Sequence, residues 1–305
     1  MPLPSEYPRV LVCVLTYNPG PVVLETIASL LRQSYPNMSL VVVDNASADG
    51  TEARVARAYP QVRFVGTGAN LGFCGGTNYA LALGIREGCD MVLVANPDIE
   101  VEADAVARLV VAAAADPGAA LVGAREVDFH TGETRSVGGR GFNLWTARTR
   151  WLTAKEVEAD PEKPFVADYV QGALVLYTRT ALREGVRLDE DLFAYVDELD
   201  LGLRLKEIGM RARVHPGVRV RHKVRHGVRS PVEGYLILRN RCYLVRRHGR
   251  WYHQAFFFLH LGLVGLPHRC LSQCLRGRHR YARACALGFL DGLRGVVGPG
   301  RVGSL

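Results

Sequence analysis

Three carboxylates crowd into Asp197-Glu198-Leu199-Asp200, directly after the apolar aromatic run Leu192-Phe193-Ala194-Tyr195. Acidic residues favour the first turn of a helix because of its macrodipole, which accounts for one or two of them. A carboxylate held beside a pocket by packed neighbours can also take a proton from a hydroxyl within hydrogen-bond reach. A second acid, Asp98, ends the tripeptide Asn96-Pro97-Asp98, which closes the apolar run Met91-Val92-Leu93-Val94-Ala95. The proline stops a strand there and leaves the carboxylate at its carboxyl end, where open α/β sheets bind ligands. Such an acid suits a divalent metal or a phosphate-bearing ligand, although strand-end acids also serve as turn residues and helix caps. His222, after Val218–Val220, could complete a metal shell.

These residues need a frame, and the first hundred positions supply one. Strands are expected at Val10–Leu15, Ser39–Val43, Val62–Val65 and Met91–Ala95, with helices at Val22–Gln33, Thr51–Ala58 and Gly76–Glu87. Strand and helix in alternation with short links mean parallel strands joined by right-handed crossovers. Beyond them the pattern loosens: a helix over Ala103–Ala115, strands at Ala120–Gly123 and Tyr169–Tyr177, a short helix over Glu198–Ile208, and strands at Ala212–Val214 and Val218–Val220. Between Phe129 and Pro164 the chain is Gly-rich and charged, and reads as a loop or hairpin that could act as a flap. From Pro231 onward the pattern is helical.

Three expected strand ends share one rim and carry polar residues: Thr16-Tyr17-Asn18, Asp44-Asn45-Ala46-Ser47 and Asn96-Pro97-Asp98. Among them lies Asn70-Leu71-Gly72-Phe73-Cys74-Gly75-Gly76-Thr77-Asn78, a glycine-rich loop opening a helix, where backbone N–H groups can approach an anion closely. Asp44 and Ser47 could instead cap the Thr51 helix, and Asn70 could be a turn residue. Gathered on one rim, the set is better explained by a nucleotide crevice. It is neither a dinucleotide fingerprint nor a phosphate-binding Gly-Lys-Ser/Thr loop.

The chain has 305 residues and a net charge of +8, and that charge is uneven. From Arg211 to Arg250 the lone carboxylate is Glu233, and a second basic stretch runs from Arg269 to Arg283. A basic carboxyl third on a mildly acidic body points to an anionic partner such as membrane lipid, a phosphorylated substrate or nucleic acid. The seven cysteines include no Cys-x-x-Cys pair and suit a reducing cytosol. His268, Cys270, Cys274 and His279 match no common zinc spacing and read as helix-packing residues. Met1–Arg9 has no apolar core between charged flanks, so a secretory signal is not expected.

The ordered set Thr16-Tyr17-Asn18, Asp44-Asn45-x-Ser47, Asn70-x-Gly72, Asn96-Pro97-Asp98, Gly172-Ala173, Asp197-Glu198-x-Asp200 and His222 resembles the inverting family-2 glycosyltransferases, and within them the bacterial rhamnosyltransferase-like branch. The resemblance runs from about Val10 to Gly249 and takes in Arg239-Asn240 and Arg246-Arg247-His248-Gly249. It implies a GT-A fold: an α/β architecture with a mostly parallel central sheet flanked by helices, here with a helical carboxyl-terminal extension. The expected division is a glycosyltransferase domain over 1–250, with a nucleotide-binding half near 8–125 and an acceptor half near 126–250, then a basic, apolar extension over 251–305.

By the same resemblance a nucleotide-sugar donor, dTDP- or UDP-linked, would lie on Thr16, Tyr17, Asn18, Asp44, Asn45, Ser47, Asn70, Gly72, Asn78 and Asn96. Asp98, at the family's Asp-x-Asp position, and His222 would hold Mg²⁺ or Mn²⁺. Asn96 replaces the first acid of that motif. Gly172, Ala173 and Asp200 would border the sugar and acceptor. The family's base lies in a Glu-Asp pair; here the order is Asp197-Glu198, which aligns Glu198 with the base and leaves Asp197 as the alternative. The expected reaction moves a hexose, L-rhamnose by preference, to a hydroxyl of a glycan or lipid-diphosphate-linked acceptor by one metal-assisted displacement.

Tyr252–Leu266 is apolar but broken by His260 and two glycines and ended by Pro267, and arginines follow it. That pattern favours in-plane attachment to an anionic membrane, on the cytoplasmic side of the plasma membrane, over a spanning helix; an oligomer contact is the alternative. A nucleotidyltransferase of related fold would need a basic glycine loop after the first strand, which Thr16–Gly20 lacks. A nucleic-acid binder would leave the carboxylates unexplained, and no nucleic-acid partner is expected.

Overall fold

The computed structural model describes residues 7–156, 162–223 and 230–305. The expected flap therefore falls partly outside the described residues, at 157–161. In chain order the elements are β1 (Val10–Thr16), α1 (Val23–Leu31), β2 (Met38–Asp44), α2 (Thr51–Ala58), β3 (Arg63–Gly66), α3 (Gly72–Arg86), β4 (Met91–Ala95), β5 (Ile99–Val101), α4 (Ala105–Ala114), β6 (Ala119–Asp128), β7 (Thr134–Ser136), β8 (Gly139–Asn143), β9 (Arg148–Trp151), β10 (Phe165–Ala167), β11 (Leu174–Tyr177), α5 (Arg179–Arg183), α6 (Asp197–Glu207) and β12 (Arg211–His222). Helices α7 (Pro231–His248), α8 (Trp251–His260), α9 (Leu266–Leu275) and α10 (His279–Arg294) follow.

Two compact units emerge. The first comprises the described residues up to Arg140, between Trp151 and Leu188, and from Leu201 to Lys223. It carries a sheet in the order β10-β12-β6-β11-β4-β1-β2-β3, with β5 added to β12 and β7 to β6. Strands β4, β1, β2 and β3 run parallel, while β11 is antiparallel to both β4 and β6. Every residue of β1 is buried, as expected of a strand covered on both faces. Val10, Val12 and Val14 meet Ile27 and Leu30 of α1 and Leu109 of α4 in the main core.

The opposite face takes α3, which starts four residues earlier than the sequence pattern suggests. Its glycines explain the difference. A Cβ at Gly84 would stand 2.3 Å from the Val92 side chain, and one at Gly76 would stand 2.5 Å from Leu15. Close packing on the sheet outweighs the roughly 1 kcal/mol helix penalty of each glycine. Other boundaries shift as well. The β6 strand runs on through Arg125–Asp128, β11 begins only after Gly172-Ala173, and the two strands expected at 212–220 are one, β12, irregular between His215 and Arg219. The Phe129–Pro164 stretch contains β7 and the hairpin β8–β9.

The second unit comprises Gly141–Arg150, Asp189–Asp200 and the described residues from Ser230 to Leu305. The Ser230 hydroxyl caps α7 by accepting the Glu233 N–H at 3.1 Å. Leu238, Cys242, Phe257, Cys285 and Phe289 form a core among α7, α8 and α10. Pro267 does not end the apolar helix as expected. Helices α8 and α9 join through a π-helical turn, Leu261–Gly265, into one helix from Trp251 to Leu275. Widening the helix just before the proline relieves its clash with the preceding turn.

Candidate active site

The parallel strands set the rim. Thr16 is in register with Asp44, and Val14 with Ala95, so the polar residues after β1, β2 and β4 leave the sheet at one edge. The loops are stitched together there. The Asn18 N–H donates to Ser47 Oγ at 2.8 Å, and the Ala48 N–H donates to Asn18 Oδ1 at 2.8 Å. Asn18 and Ala46 both take positive φ, 48° and 62°, which turns the chain sharply beyond each strand. The buried Asp44 carboxylate accepts the Ser47 N–H at 2.8 Å and hydroxyl at 2.5 Å; it shapes this loop and does not cap α2, whose N-cap is Gly50.

Asn45 reaches across to the glycine loop, its amide donating to the Gly72 carbonyl at 2.8 Å. The Asn96 N–H donates to the Ala173 carbonyl at 2.9 Å, and the Phe73 ring lies 3.4 Å from where a Gly172 Cβ would stand. Gly172 and Ala173 thus border the same rim. Tyr17 exposes 51% of its surface, and the Thr16 hydroxyl is buried without a hydrogen-bond partner. An exposed aromatic face beside an unsatisfied buried hydroxyl is what a bound base and ribose would cover.

Two of the expected donor contacts have other work. Asn78 is buried and pairs its amide twice with the Leu188 backbone, at 2.9 Å each way, bracing α3. Asn70 accepts the Gly72 N–H at 3.0 Å, as a turn residue does.

Asp98 sits beyond β4 on a turn held by Thr26 of α1, whose hydroxyl lies 2.8 Å from the Pro97 and Ile99 carbonyls. Its Oδ1 is 3.0 Å from His222 Nε2, and His222 Nδ1 is 2.8 Å from Glu126 Oε1. Burial alone would lower the His222 pKa, but hydrogen bonds to Asp98 and Glu126 and their charges outweigh it and raise it to about 9. The ring is then an imidazolium clamped between two carboxylates. The sequence pattern ends its strand at Gly123 and singles out no role for Glu126, whereas β6 continues through it to Asp128.

Among the described residues no group of three or more His, Cys, Asp or Glu side chains is set to cage a metal. Asp98 remains partly exposed at the rim, with one carboxylate oxygen beyond its bond to His222. That donor set fits a divalent ion that takes most of its oxygens from a diphosphate and water.

In the second unit, α6 opens with Asp197 and Glu198. Tyr195 and Val196, just before it, have φ of 67° and 69°, and Phe193 has 63°. Left-handed backbone at a β-branched valine is strained and must be imposed by its surroundings. Asn240 of α7 imposes it: its amide lies 3.0, 2.8 and 2.8 Å from the carbonyls of Leu192, Ala194 and Tyr195. The buried Arg239 guanidinium adds a bond to the Leu192 carbonyl at 2.9 Å.

Asp197 is buried and Glu198 is partly accessible. Burial, then the Glu198 charge, raises the Asp197 pKa well above the ordinary range, against backbone hydrogen bonds. Burial also raises that of Glu198, opposed by a backbone hydrogen bond and by the charge of Arg241. Asp200 is fully buried and bonded to His248 Nε2 at 2.9 Å, with Arg247 at 3.6 Å. Its carboxylate anchors α7 and is closed to solvent, whereas the resemblance implied a place at the border of the sugar and acceptor.

The family model described as "Glycosyltransferase like family 2" matches residues 8–253. An N-acetylglucosaminyl-diphospho-decaprenol L-rhamnosyltransferase of Mycobacterium tuberculosis is 28% identical over 295 residues, covering 88% of this chain and 95% of that protein. Among solved structures, the GalNAc-T7 complex with UDP, GalNAc and Mn²⁺ superposes with a TM-score of 0.65 at 16% identity, over 95% of this chain and 56% of that one. The chain thus spans little more than half of GalNAc-T7. The Pyrobaculum calidifontis mannosyltransferase PcManGT, in complex with GDP-Man and Mn²⁺, gives 0.59 at 20% identity, over 96% and 89%. The fold is GT-A.

Proposed function

The chain belongs to the family-2-like glycosyltransferases and is a hexosyltransferase, and from that premise we propose that it is an inverting rhamnosyltransferase that takes L-rhamnose from dTDP-rhamnose to a hydroxyl of a lipid-diphosphate-linked glycan. The observation that carries the reading is Asp98 with its His222–Glu126 support at the strand-end rim beside exposed Tyr17. The choice of sugar and acceptor rests on the mycobacterial relative.

Tyr17, Thr16, Asn18 and the Asp44–Ser47 loop receive the nucleoside, and Asp98 the diphosphate end. Asp98 would hold Mg²⁺ or Mn²⁺, with His222 as a second ligand once its proton is lost; a bound divalent ion offsets charge on the departing diphosphate. With its proton kept, His222 supplies positive charge beside Asp98. Glu198 is the base. The acceptor oxygen forms its bond to the anomeric carbon as the bond from that carbon to the diphosphate oxygen breaks. The hydroxyl proton passes to Glu198, and dTDP departs with the electron pair. A single displacement inverts the centre and needs no protein nucleophile.

The helix Trp251–Leu275 is long and apolar enough to cross a membrane by length and composition, and Trp251, Leu259, Leu263, Leu271 and Leu275 are exposed on it. His260, His268 and Arg269 lie along the same helix and would be costly in hydrocarbon. We therefore read it as lying in the plane of the inner leaflet of the plasma membrane, its arginines on anionic lipid.

Incubation with dTDP-rhamnose, UDP-hexoses and GDP-mannose, each with Mg²⁺ or Mn²⁺ and a prenyl-diphosphate-linked amino sugar, tests the proposal. Transfer from dTDP-rhamnose with inverted anomeric configuration by NMR is expected. Transfer from another donor alone, or with retention, would overturn it.

A further inference from the structure

The second unit contains two cavities along the helix Trp251–Leu275 that nothing in the proposed donor chemistry uses. The first, of about 190 Å³, is walled by Arg148, Arg241 and Arg269 with Leu238, Phe257 and Leu261. The second, of about 370 Å³, is walled by Arg269, Arg276 and Arg278 with Ser272, Gln273 and Tyr281. Arg269 and His268 belong to both walls, so the cavities adjoin. No carboxylate lines either one.

Arg148, Arg269, Arg276 and Arg278 have no ion-pair partner among the described residues. Gathering guanidinium groups without counter-charge is repulsive unless an anion joins them. Tyr281 adds an independent sign. It is 5% exposed, and its hydroxyl lacks any hydrogen-bond partner. A buried hydroxyl left unpaired forgoes its hydrogen bond with water, and a ligand oxygen would restore that bond.

We infer that these cavities form the site for the diphosphate of a lipid-linked acceptor, with guanidinium groups clamping its oxygens, Tyr281 donating to one of them, and the Leu238–Phe257–Leu261 wall meeting the first carbons of the prenyl chain. Phosphate oxygens take the paired donors of arginine better than any other side chain offers them. A soluble anion would have no use for the apolar wall or for the exposed leucines of the same helix. An amphiphile uses both: its head meets the arginines and its chain follows the apolar surface. Arg241 ties this site to the chemistry, because it lines the first cavity and its charge also acts on Glu198. The inference rests on the reading of the chain as a transferase for lipid-linked acceptors.

The test is a calorimetric titration of the full chain with farnesyl diphosphate, run with saturating dTDP to occupy the donor site. Wild type is expected to bind. Arg269→Ala should weaken that binding about tenfold or more, and Tyr281→Phe several-fold, without change in far-UV circular dichroism. Equal affinity for farnesol, or unchanged affinity in both variants, would overturn the inference. Dihexanoyl phosphatidylglycerol serves as the competing source of phosphate. Binding as tight as farnesyl diphosphate with the same loss in Arg269→Ala would assign the cavities to bilayer headgroups and also overturn it. A wild-type protein that binds farnesyl diphosphate but transfers no sugar from any donor would defeat the glycosyltransfer reading while leaving this site standing.

Discussion

At the scale of the residue, Asp197 and Glu198 are neighbours with different prospects. Both are held above the ordinary carboxylate range by burial, but only Glu198 reaches partial exposure. A base works deprotonated, so transfer should fall as pH drops through the raised Glu198 pKa, above the range of a free glutamate. Glu198→Gln is expected to lower kcat by about 10²–10⁴-fold and to abolish that acid limb while dTDP still binds. Full activity in this variant would move the base to Asp197. Arg241→Ala removes a charge that lowers the Glu198 pKa, so its acid limb should shift to higher pH. A pH–rate profile from pH 4 to 9 reads both effects. Raised carboxylate pKa values also carry a stability cost that grows as pH rises above the unfolded values. Asp197→Asn should therefore raise the melting temperature at neutral pH and do little below the free-carboxylate range.

At the scale of the element, the carboxylates depend on a strained approach, Phe193–Val196, that no local preference would choose. Asn240 holds it through three carbonyls from the neighbouring α7. Asn240→Ala should leave α7 helical but release the turn. A loss of about 10–100-fold in kcat with little change in donor KM is expected, since misplacing a base by an ångström costs rate more than binding. Steady-state kinetics with the donor varied would show it; a change confined to KM would mean that the clamp serves the donor instead. On the other unit, Gly76 plays a comparable part for α3. A Cβ there would meet Leu15 and Asn45 and disturb the bond from Asn45 to the Gly72 carbonyl. Gly76→Ala should lower the free energy of unfolding by about 1–3 kcal/mol, readable by denaturant titration.

At the scale of the whole molecule, charge and apolar surface are concentrated in the carboxyl third. Exposed Trp251, Leu259, Leu263, Leu271 and Leu275 stand on a helix followed by Arg276, Arg278, Arg280 and Arg283. Flotation with vesicles containing phosphatidylglycerol should recover the protein at low salt and less of it at 0.5 M salt, because basic residues near a charged bilayer are screened beyond a Debye length. Failure to float at low salt would leave the helix as an oligomer contact. Leu263→Glu with Leu271→Glu should abolish flotation without altering donor binding.

The sequence by itself determined the parallel layer and its polar rim. Continuous apolar runs at Val10–Leu15 and Met91–Ala95, each ended by Asn, Pro or Asp, specify buried strands whose ends must face one crevice, because period and punctuation are local properties. It also placed the acids at 98 and at 197–200 in a recognisable order. Tertiary structure decided what those acids are joined to. Glu126 behind His222, Asn240 under the Tyr195 turn, Asn78 on the Leu188 backbone and His248 on Asp200 are pairings between residues roughly 45 to 110 positions apart, and no local pattern encodes a partner at that distance. Burial and charge then set which carboxylate stays closed in the core and which stands where a hydroxyl could meet it.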